Sequence, residues 1–181
     1  HCIACTQGCS GQKLRGGLLG CLVNPLLGHE SEPTYKCQPA EKKKRVFVIG
    51  GGISGCEAAI VATQRGHKVT IIEKSDMLGG QWNAACVPVA KGEFASLVAW
   101  QQAQINKLEI EVRYKSTLTD DVLQEKPDAI ILAIGGTPFI PPIEGLDNFR
   151  LATDVLLGKE DVGKKVLIIG GGLVGAETAE Y

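Results

Sequence analysis

The sequence lacks a surplus of charge of either sign. Nineteen Lys and Arg residues stand against 20 Asp and Glu residues, and the formal net charge is −1. Nucleic acids and anionic membranes are bound mainly through excess positive charge, so neither is an expected partner. Long apolar runs and a secretory signal are also missing, and a membrane helix needs roughly 20 apolar residues.

The sequence also lacks an initiator methionine. Residue one is His1, and Tyr181 follows closely after a glycine cluster, inside a segment that should be helical. We therefore expect a piece of a longer polypeptide rather than a complete small protein with a processed start. The content of 44% hydrophobic and 22% charged residues is otherwise ordinary for a globular domain.

Cysteine, in contrast, is plentiful near the start of the chain. The spacing is Cys2-x-x-Cys5-x-x-x-Cys9, and eleven residues then separate Cys9 from Cys21. Close spacing with one distant ligand favours an iron–sulfur cubane held by four thiolates. Structural zinc is the alternative, because it also takes four thiolates, although it usually uses two short C-x-x-C pairs. Reduced, ligating thiols fit a cytosolic protein better than a disulfide scaffold.

The other three cysteines are isolated in sequence. Cys56 falls in the first turn of a predicted helix, where we expect a small packed side chain, with a low-pKa redox thiol as the alternative. Neither Cys37 nor Cys86 forms a C-x-x-C pair with it, so a disulfide reductase would lack its dithiol. His29 and His67 show no catalytic pattern, and no catalytic residue is predicted.

The first of two glycine clusters follows a short apolar run. Residues 46–49 read Val-Phe-Val-Ile, which predicts a strand buried on both faces. A helix is predicted over 56–65, with Gly66 as its left-handed stop. Between them, Gly50 permits a tight turn, Gly52 lets the backbone approach a pyrophosphate, and Gly55 lets the helix close on the strand.

Glu73 ends the next predicted strand, over residues 68–73. A carboxylate at about 20 residues from the glycines accepts hydrogen bonds from a ribose diol and repels a 2′-phosphate. The first site therefore favours FAD or NAD over NADP.

The remaining pattern continues the alternation of strands and helices. We predict a helix over 94–108, strands over 109–114, 128–134 and 165–169, and a crossing segment through Pro141-Pro142. The last strand leads into a second cluster, Gly170-x-Gly172-x-x-Gly175, so the glycine motif is an internal repeat.

These elements predict an α/β fold. It is a Rossmann-like FAD/NAD(P)-binding domain, a parallel sheet with helices, preceded by an irregular cysteine loop. The predicted divisions are 1–40 for the cysteine loop and linker, 41–150 for the first part of the FAD domain, and 151–181 for the start of the NAD(P)H domain.

Seven segments occur together in a characteristic order. They are Cys2-Ile-Ala-Cys-Thr-Gln-Gly-Cys9, Cys21-Leu-Val-Asn-Pro25, residues 45–73, Leu78-Gly-Gly-Gln81, residues 128–138, Asp154-Val-Leu, and the second glycine cluster. This order resembles the iron–sulfur flavoenzymes of the old-yellow-enzyme type, the family of 2,4-dienoyl-CoA reductase, enoate reductases and trimethylamine dehydrogenase. The likeness covers nearly the whole chain. It departs at Gly135-Gly136, where an Ala-Thr-Gly-Ala-like string is commoner.

The resemblance implies three sets of cofactor residues. A [4Fe-4S] cluster would be ligated by Cys2, Cys5, Cys9 and Cys21. The FAD site would comprise Gly50, Gly52, Ile53, Ser54, Gly55, Glu73, Lys74, Gly80, Gln81, Ala133 and Gly135. The NAD(P)H site would comprise Gly170, Gly172 and Gly175. FMN and the substrate site would belong to a preceding barrel in the same polypeptide.

The resemblance also implies a route for electrons. They would pass from NAD(P)H to FAD, through the cluster to FMN, and onto an activated C=C bond such as that of a 2,4-dienoyl-CoA or an enoate. This stretch alone is not expected to oxidise NAD(P)H. Two alternatives remain: a structural scaffold holding ADP at the FAD position, as in amine dehydrogenase-like members, and a zinc-stapled FAD-dependent reductase. The intact second glycine cluster favours a working nicotinamide site.

Overall fold

The computed structural model describes residues 2–181, so His1 lies outside the described residues. One four-stranded sheet has the order β3-β2-β1-β4, and every neighbouring pair is parallel. The strands are β1 (Arg45–Ile49), β2 (Lys68–Ile72), β3 (Glu111–Arg113) and β4 (Ala129–Leu132). Helical connections between parallel strands confirm the predicted α/β, Rossmann-like class.

Of the two longest helices, Ile53–Gln64 lies against the sheet, and Ala95–Lys107 packs against Ile53–Gln64. The α-helices of the described chain are α1 (Gln12–Leu14), α2 (Ile53–Gln64), α3 (Trp82–Ala85), α4 (Ala95–Lys107), α5 (Asp120–Gln124), α6 (Ala152–Leu156) and α7 (Leu173–Glu180). A π-helical turn covers Gln7–Gly11, and 3₁₀ turns cover Pro33–Tyr35 and Gly92–Phe94. Within residues 2–181, every helix falls short of the length and hydrophobicity that a membrane span requires.

The central strand β1 is buried on both faces, as predicted. Val46 and Val48 pack into the larger core cluster under α2, while Phe47 and Ile49 join a second cluster with Val122 of α5. Successive side chains of a strand point to opposite faces, so a continuous apolar run suits a strand covered on both sides.

The predicted element ends differ from the observed ones by a few residues. Helix α2 begins at Ile53 rather than residue 56, because Gly52 is its extended N-cap, and Gly66 ends it at φ +94° as predicted. The predicted strand over 109–114 is shorter, at Glu111–Arg113. Its first predicted residue, Glu109, has φ +53° and belongs to the turn that closes α4.

The predicted strand over 165–169 is wrong for this structure. These residues form no strand, and Leu167 is 86% exposed. A parallel strand is held by hydrogen bonds to its neighbours, and no strand of residues 2–181 pairs with this segment. Without a partner strand among the described residues, its apolar side chains stay largely exposed.

The cysteine segment is largely irregular, as predicted, and is joined to the sheet domain at the far end of α2. The Ala40 amide donates to the Arg65 carbonyl at 2.9 Å, and Arg65 Nε donates to the Gln38 carbonyl at 3.1 Å. His67 Nδ1 accepts a hydrogen bond from the Lys44 amide at 3.1 Å. This histidine thus has a structural contact with the segment that leads into β1.

Substitution of Phe47 tests the description of the sheet core. Its side chain is fully buried, and the guanidinium carbons of Arg45 and Arg113 lie 4.9 and 5.7 Å from its ring centroid. We expect Phe47→Ala to lower the free energy of unfolding by about 3–5 kcal/mol, because it leaves a cavity in the sheet core. Urea denaturation measures this. The matched control is Phe139→Ala, at an 84% exposed position, where a change below about 0.5 kcal/mol is expected. Equal losses at both positions would contradict the described core.

Candidate functional site

The turn between β1 and α2 depends on glycines that approach other backbone atoms closely. Gly50 has φ +105°, and a Cβ there would lie 2.3 Å from the Ala133 carbonyl oxygen. A Cβ on Gly55 would lie 1.9 Å from the Gly50 carbonyl oxygen. Both distances are far below van der Waals contact, so neither position can carry a side chain without moving the backbone. The roles predicted for Gly50 and Gly55 follow from this geometry.

Gly52 differs from Gly50 and Gly55, because a Cβ at Gly52 would have no neighbouring atom within 4 Å. It is the N-cap of the twelve-residue helix α2, and its carbonyl accepts the Cys56 amide at 2.9 Å. The first amides of a helix have no intrahelical partners, and the helix dipole places positive potential there. Ile53 and Ser54 lie in this first turn. The open side of Gly52 is therefore suited to a bound diphosphate.

The Glu73 carboxylate is fixed beside this turn. The residue is only 5% exposed, Oε2 accepts the Gly51 amide at 2.6 Å, and Oε1 accepts the Ser75 amide and hydroxyl at 2.8 and 2.7 Å. Burial alone would raise the pKa of Glu73, but the hydrogen bonds from Ser75 and Gly51 outweigh burial and hold it below the ordinary 4.5. The carboxylate is thus charged at neutral pH and retains lone pairs for a ribose hydroxyl.

A second loop lies against the glycine turn. The Gly79 amide donates to the Gly51 carbonyl at 2.8 Å, and a Cβ on Gly80 would lie 3.2 Å from the Gly52 Cα. The Gln81 side-chain amide donates to the Gly136 carbonyl at 2.6 Å, which joins this loop to the segment after β4. The fold therefore brings the predicted residues Gly80, Gln81, Ala133 and Gly135 to the neighbourhood of the glycine turn, while Lys74 is exposed next to Glu73.

The second glycine cluster repeats the first in local geometry. Gly170 has φ +108°, and a Cβ on Gly175 would lie 1.9 Å from the Gly170 carbonyl oxygen. Gly172 is the extended N-cap of α7, its Cβ position is open, and its carbonyl accepts the Ala176 amide at 2.9 Å. The internal repeat is thus present in the backbone, although the strand before it is not.

The four cysteines of the first segment are partly brought together. The Gly20 amide donates to the Gly8 carbonyl at 2.9 Å, which places Cys21 beside the chain leading to Cys9. The Ala4 amide donates to Cys2 Sγ at 3.3 Å, and the thiols are free. Among residues 2–181, no three Cys, His, Asp or Glu side chains gather closely enough to hold one metal ion. The donor chemistry fits a cluster, but the four sulfurs do not converge.

Cys56 and Cys86 are packed thiols. Burial, together with the charge of Glu73, raises the pKa of Cys56 to about 12, and its Sγ donates to the Gly51 carbonyl at 3.2 Å. Cys86 Sγ donates to the Trp82 carbonyl at 3.0 Å, and burial raises its pKa. The alternative of a low-pKa redox thiol at Cys56 is therefore wrong.

Comparison with known proteins agrees with this geometry. The family model described as FAD dependent oxidoreductase matches residues 45–127, and that described as pyridine nucleotide-disulphide oxidoreductase matches residues 90–181. The solved 2-naphthoyl-CoA reductase is 42% identical, with a TM-score of 0.93 over 99% of this chain and 28% of its own. The chain belongs to the old-yellow-enzyme-type flavin oxidoreductases.

Curated members of this family are similar along almost the whole chain. Cinnamate reductase from Clostridium sporogenes is 42% identical over 98% of this chain and 27% of its own length. NADH oxidase from Thermoanaerobacter brockii is 39% identical over 99% of this chain and 29% of its own. The chain thus spans between a quarter and a third of the length of these flavin oxidoreductases.

Sequence reasoning missed two residues of this candidate site. Gly51 and Ser75 supply the donors that hold Glu73, yet neither belongs to the glycine pattern or the acidic position that the sequence motif specifies. A signal was present for Gly51, because the glycines form an unbroken run of three. A Cβ on Gly51 would lie 2.5 Å from a Leu78 methyl group, so a side chain there would require Leu78 to shift.

Glu73 provides a pH test of the site. Because its folded pKa is lowered, its stabilising contribution is full above the ordinary value of 4.5 and is lost as pH falls through the folded pKa. We expect Glu73→Gln to lower the free energy of unfolding at pH 7 by about 1–3 kcal/mol, since a buried donor loses its acceptor. The loss should shrink below pH 4. Urea denaturation at several pH values measures it.

The matched control for this pH series is Glu144→Gln, at an exposed glutamate. Its unfolding free energy should change by less than about 0.5 kcal/mol at each pH. A Glu73→Gln effect that is constant from pH 7 to pH 3 would contradict the description of Glu73 as a hydrogen-bonded carboxylate.

Proposed function

We propose that this chain is the electron-transfer portion of an NAD(P)H-dependent flavin oxidoreductase. Electrons from NAD(P)H would pass through FAD and a [4Fe-4S] cluster to FMN in a barrel outside this chain, and onto an activated C=C bond. The single observation that carries this proposal is the open backbone at Gly52, aligned with a helix N-terminus and a fixed, charged Glu73. That combination provides separate places for a diphosphate and a ribose.

The proposed FAD residues have distinct tasks. Gly52 and the first-turn amides of Ile53, Ser54 and Gly55 would bind the diphosphate, and Glu73 would accept the ribose hydroxyls. Flanking contacts would come from Gly50, Lys74, Gly80, Gln81, Ala133 and Gly135. When bound, FAD accepts a hydride from NAD(P)H, and a [4Fe-4S] cluster carries single electrons onward. The chain's own part is to hold these groups in place and exclude water.

NAD(P)H would bind at the second glycine cluster. Gly170, Gly172 and Gly175 have the same turn geometry as the first site, with Gly172 again open to an approaching phosphate. The match of residues 90–181 to a pyridine-nucleotide family supports this assignment. We extend the proposal to the divisions 1–40, 41–150 and 151–181 for the cysteine loop, the FAD domain and the start of the NAD(P)H domain.

The cluster would be ligated by Cys2, Cys5, Cys9 and Cys21. The hydrogen bond that brings Cys21 toward Cys9, and the amide donated to Cys2 Sγ, support a thiolate site in this segment. Amide donors to sulfur are among the features that tune iron–sulfur centres. Because the four sulfurs do not converge, loading would have to order the loop. Zinc remains the competing metal.

The proposed substrate class of the complete protein is inferred from its relatives. One relative is a cinnamate reductase and a solved neighbour is a 2-naphthoyl-CoA reductase, so an enoate or an acyl-CoA thioester with an activated C=C bond is the proposed substrate class. The proposed location is the cytoplasm. A scaffold holding ADP in place of FAD is the second candidate, since the first site would bind the shared adenosine diphosphate equally well.

Cofactor analysis of the full-length protein tests the proposal. We expect extractable FAD and FMN, about four iron atoms per chain, and a brown absorbance that dithionite bleaches. Cys21→Ser should remove most of the iron while FAD is retained, because the two sites use different residues. The matched control is Cys37→Ser, an exposed cysteine outside the motif, which should keep its iron. Stoichiometric zinc would exclude the cluster, and ADP without FAD would establish the scaffold alternative.

A further inference from the structure

Tyr114 stands directly beside Glu73 at the carboxyl edge of the sheet. The register between β2 and β3 pairs Ile71 with Val112 and Ile72 with Arg113. The next pair in this register is Glu73 and Tyr114. The pairing continues beyond the strand ends, because the Glu73 amide donates to the Arg113 carbonyl at 2.9 Å.

The two side chains also share a face of the sheet. Val112 packs against the core cluster that α2 covers, and Tyr114 lies two residues further along, so strand alternation places it on the same side. Glu73 is two residues beyond Ile71, a member of that same cluster, and its carboxylate reaches Gly51 there. Burial raises the pKa of Tyr114, with further contributions from nearby Cys56 and Glu73. This agrees with a phenol facing the glycine turn.

Contacts of the neighbouring residues fix the backbone at Tyr114 on both sides. On the sheet edge, the Lys115 amide donates to the Ser75 carbonyl at 2.9 Å and the Ser116 amide donates to the Glu73 carbonyl at 3.0 Å. On the opposite face, Arg113 forms an ion pair with Glu125 at 2.5 Å. The tyrosine is nevertheless 45% exposed. A fixed backbone that presents a half-open aromatic ring is a suitable surface for a planar ligand group.

The order of the strands defines where each part of a nucleotide would lie. Gly52 follows β1, Glu73 follows β2 and Tyr114 follows β3, and these three strands are consecutive neighbours in the sheet. Neighbouring strands are about 4.8 Å apart. In an adenosine diphosphate the ribose lies between the phosphates and the base. With phosphates at Gly52 and ribose at Glu73, the base extends toward Tyr114.

We propose that Tyr114 forms the base subsite of the first nucleotide site, where its ring stacks on a purine and makes the site selective for adenine over a pyrimidine. This inference rests on the proposed nucleotide-binding function of that site. Stacking needs the aromatic ring and not the hydroxyl, and a purine offers a larger π-surface than a pyrimidine. Tyr114 is thus assigned specificity, while Gly52 and Glu73 bind the common ribosyl diphosphate.

Calorimetric titration of the full-length apoprotein with ADP and UDP tests this assignment. Every variant also carries Gly172→Ala, so that the second glycine cluster does not contribute to the signal. We expect the parent to prefer ADP. Tyr114→Ala should lose about tenfold in ADP affinity, within the range for base stacking on an aromatic ring, and less in UDP affinity. Tyr114→Phe should retain both affinities.

The matched control is Tyr35→Ala, which removes a comparably exposed tyrosine that stacks on His29 instead. It should leave the ADP/UDP ratio unchanged. Equal loss of both nucleotides in Tyr114→Ala would overturn the inference, since the ring would then support the fold only. An unchanged ratio, or a loss in Tyr114→Phe, would overturn it as well. A parent protein that binds neither nucleotide would refute the proposed function of the first site itself.

Discussion

The close contact between α2 and the end of β1 sets the position of every other part of the site. A Cβ on Gly55 would lie 1.9 Å from the Gly50 carbonyl oxygen, so the helix can begin where it does only because that side chain is absent. The helix N-terminus then lies at the carboxyl edge of the sheet, beside the Glu73 carboxylate. The same 1.9 Å distance recurs between Gly175 and Gly170. That repeat forms without strand pairing before it, so the turn is determined locally by its glycines.

Much of the fold and the first site could be predicted from sequence because their signals are local. The apolar run of β1, the glycine spacing and the acid at Glu73 each lie within one short segment. The apolar run over 165–169 shows the limit: its composition is that of a buried strand, yet strand formation needs hydrogen-bonding neighbours. The position of Tyr114 beside Glu73 was not predictable from sequence for a related reason. Its place beside Glu73 depends on a register between segments about 40 residues apart, and periodicity within one segment does not contain that information.

The two proposed cofactor regions differ in how far the polypeptide backbone is already shaped for binding. At the first glycine turn, the backbone is already shaped, since Glu73 is hydrogen-bonded by Gly51 and Ser75 and the Gly52 face is open. In the cysteine segment, hydrogen bonds bring Cys21 near the others without converging the sulfurs. The linker after this segment attaches to α2 at Arg65, a helix length of about 18 Å from Gly52. A candidate nucleotide site that is already shaped, joined to a cysteine loop that a metal would draw together, suits the proposed function, in which the cofactors perform the redox chemistry.

The most direct test of the central claim compares Gly52→Ala with Gly55→Ala in the full-length protein, measuring both thermal unfolding and FAD content. A Cβ at Gly52 meets no protein atom within 4 Å, so Gly52→Ala should unfold at an unchanged temperature once nucleotide is removed, yet lose most of its FAD because the methyl group occupies the approach of the diphosphate. Gly55→Ala should unfold at a lower temperature, because its methyl group clashes with the Gly50 carbonyl. Normal FAD content in a stable Gly52→Ala variant would contradict the assignment of this turn as the diphosphate site.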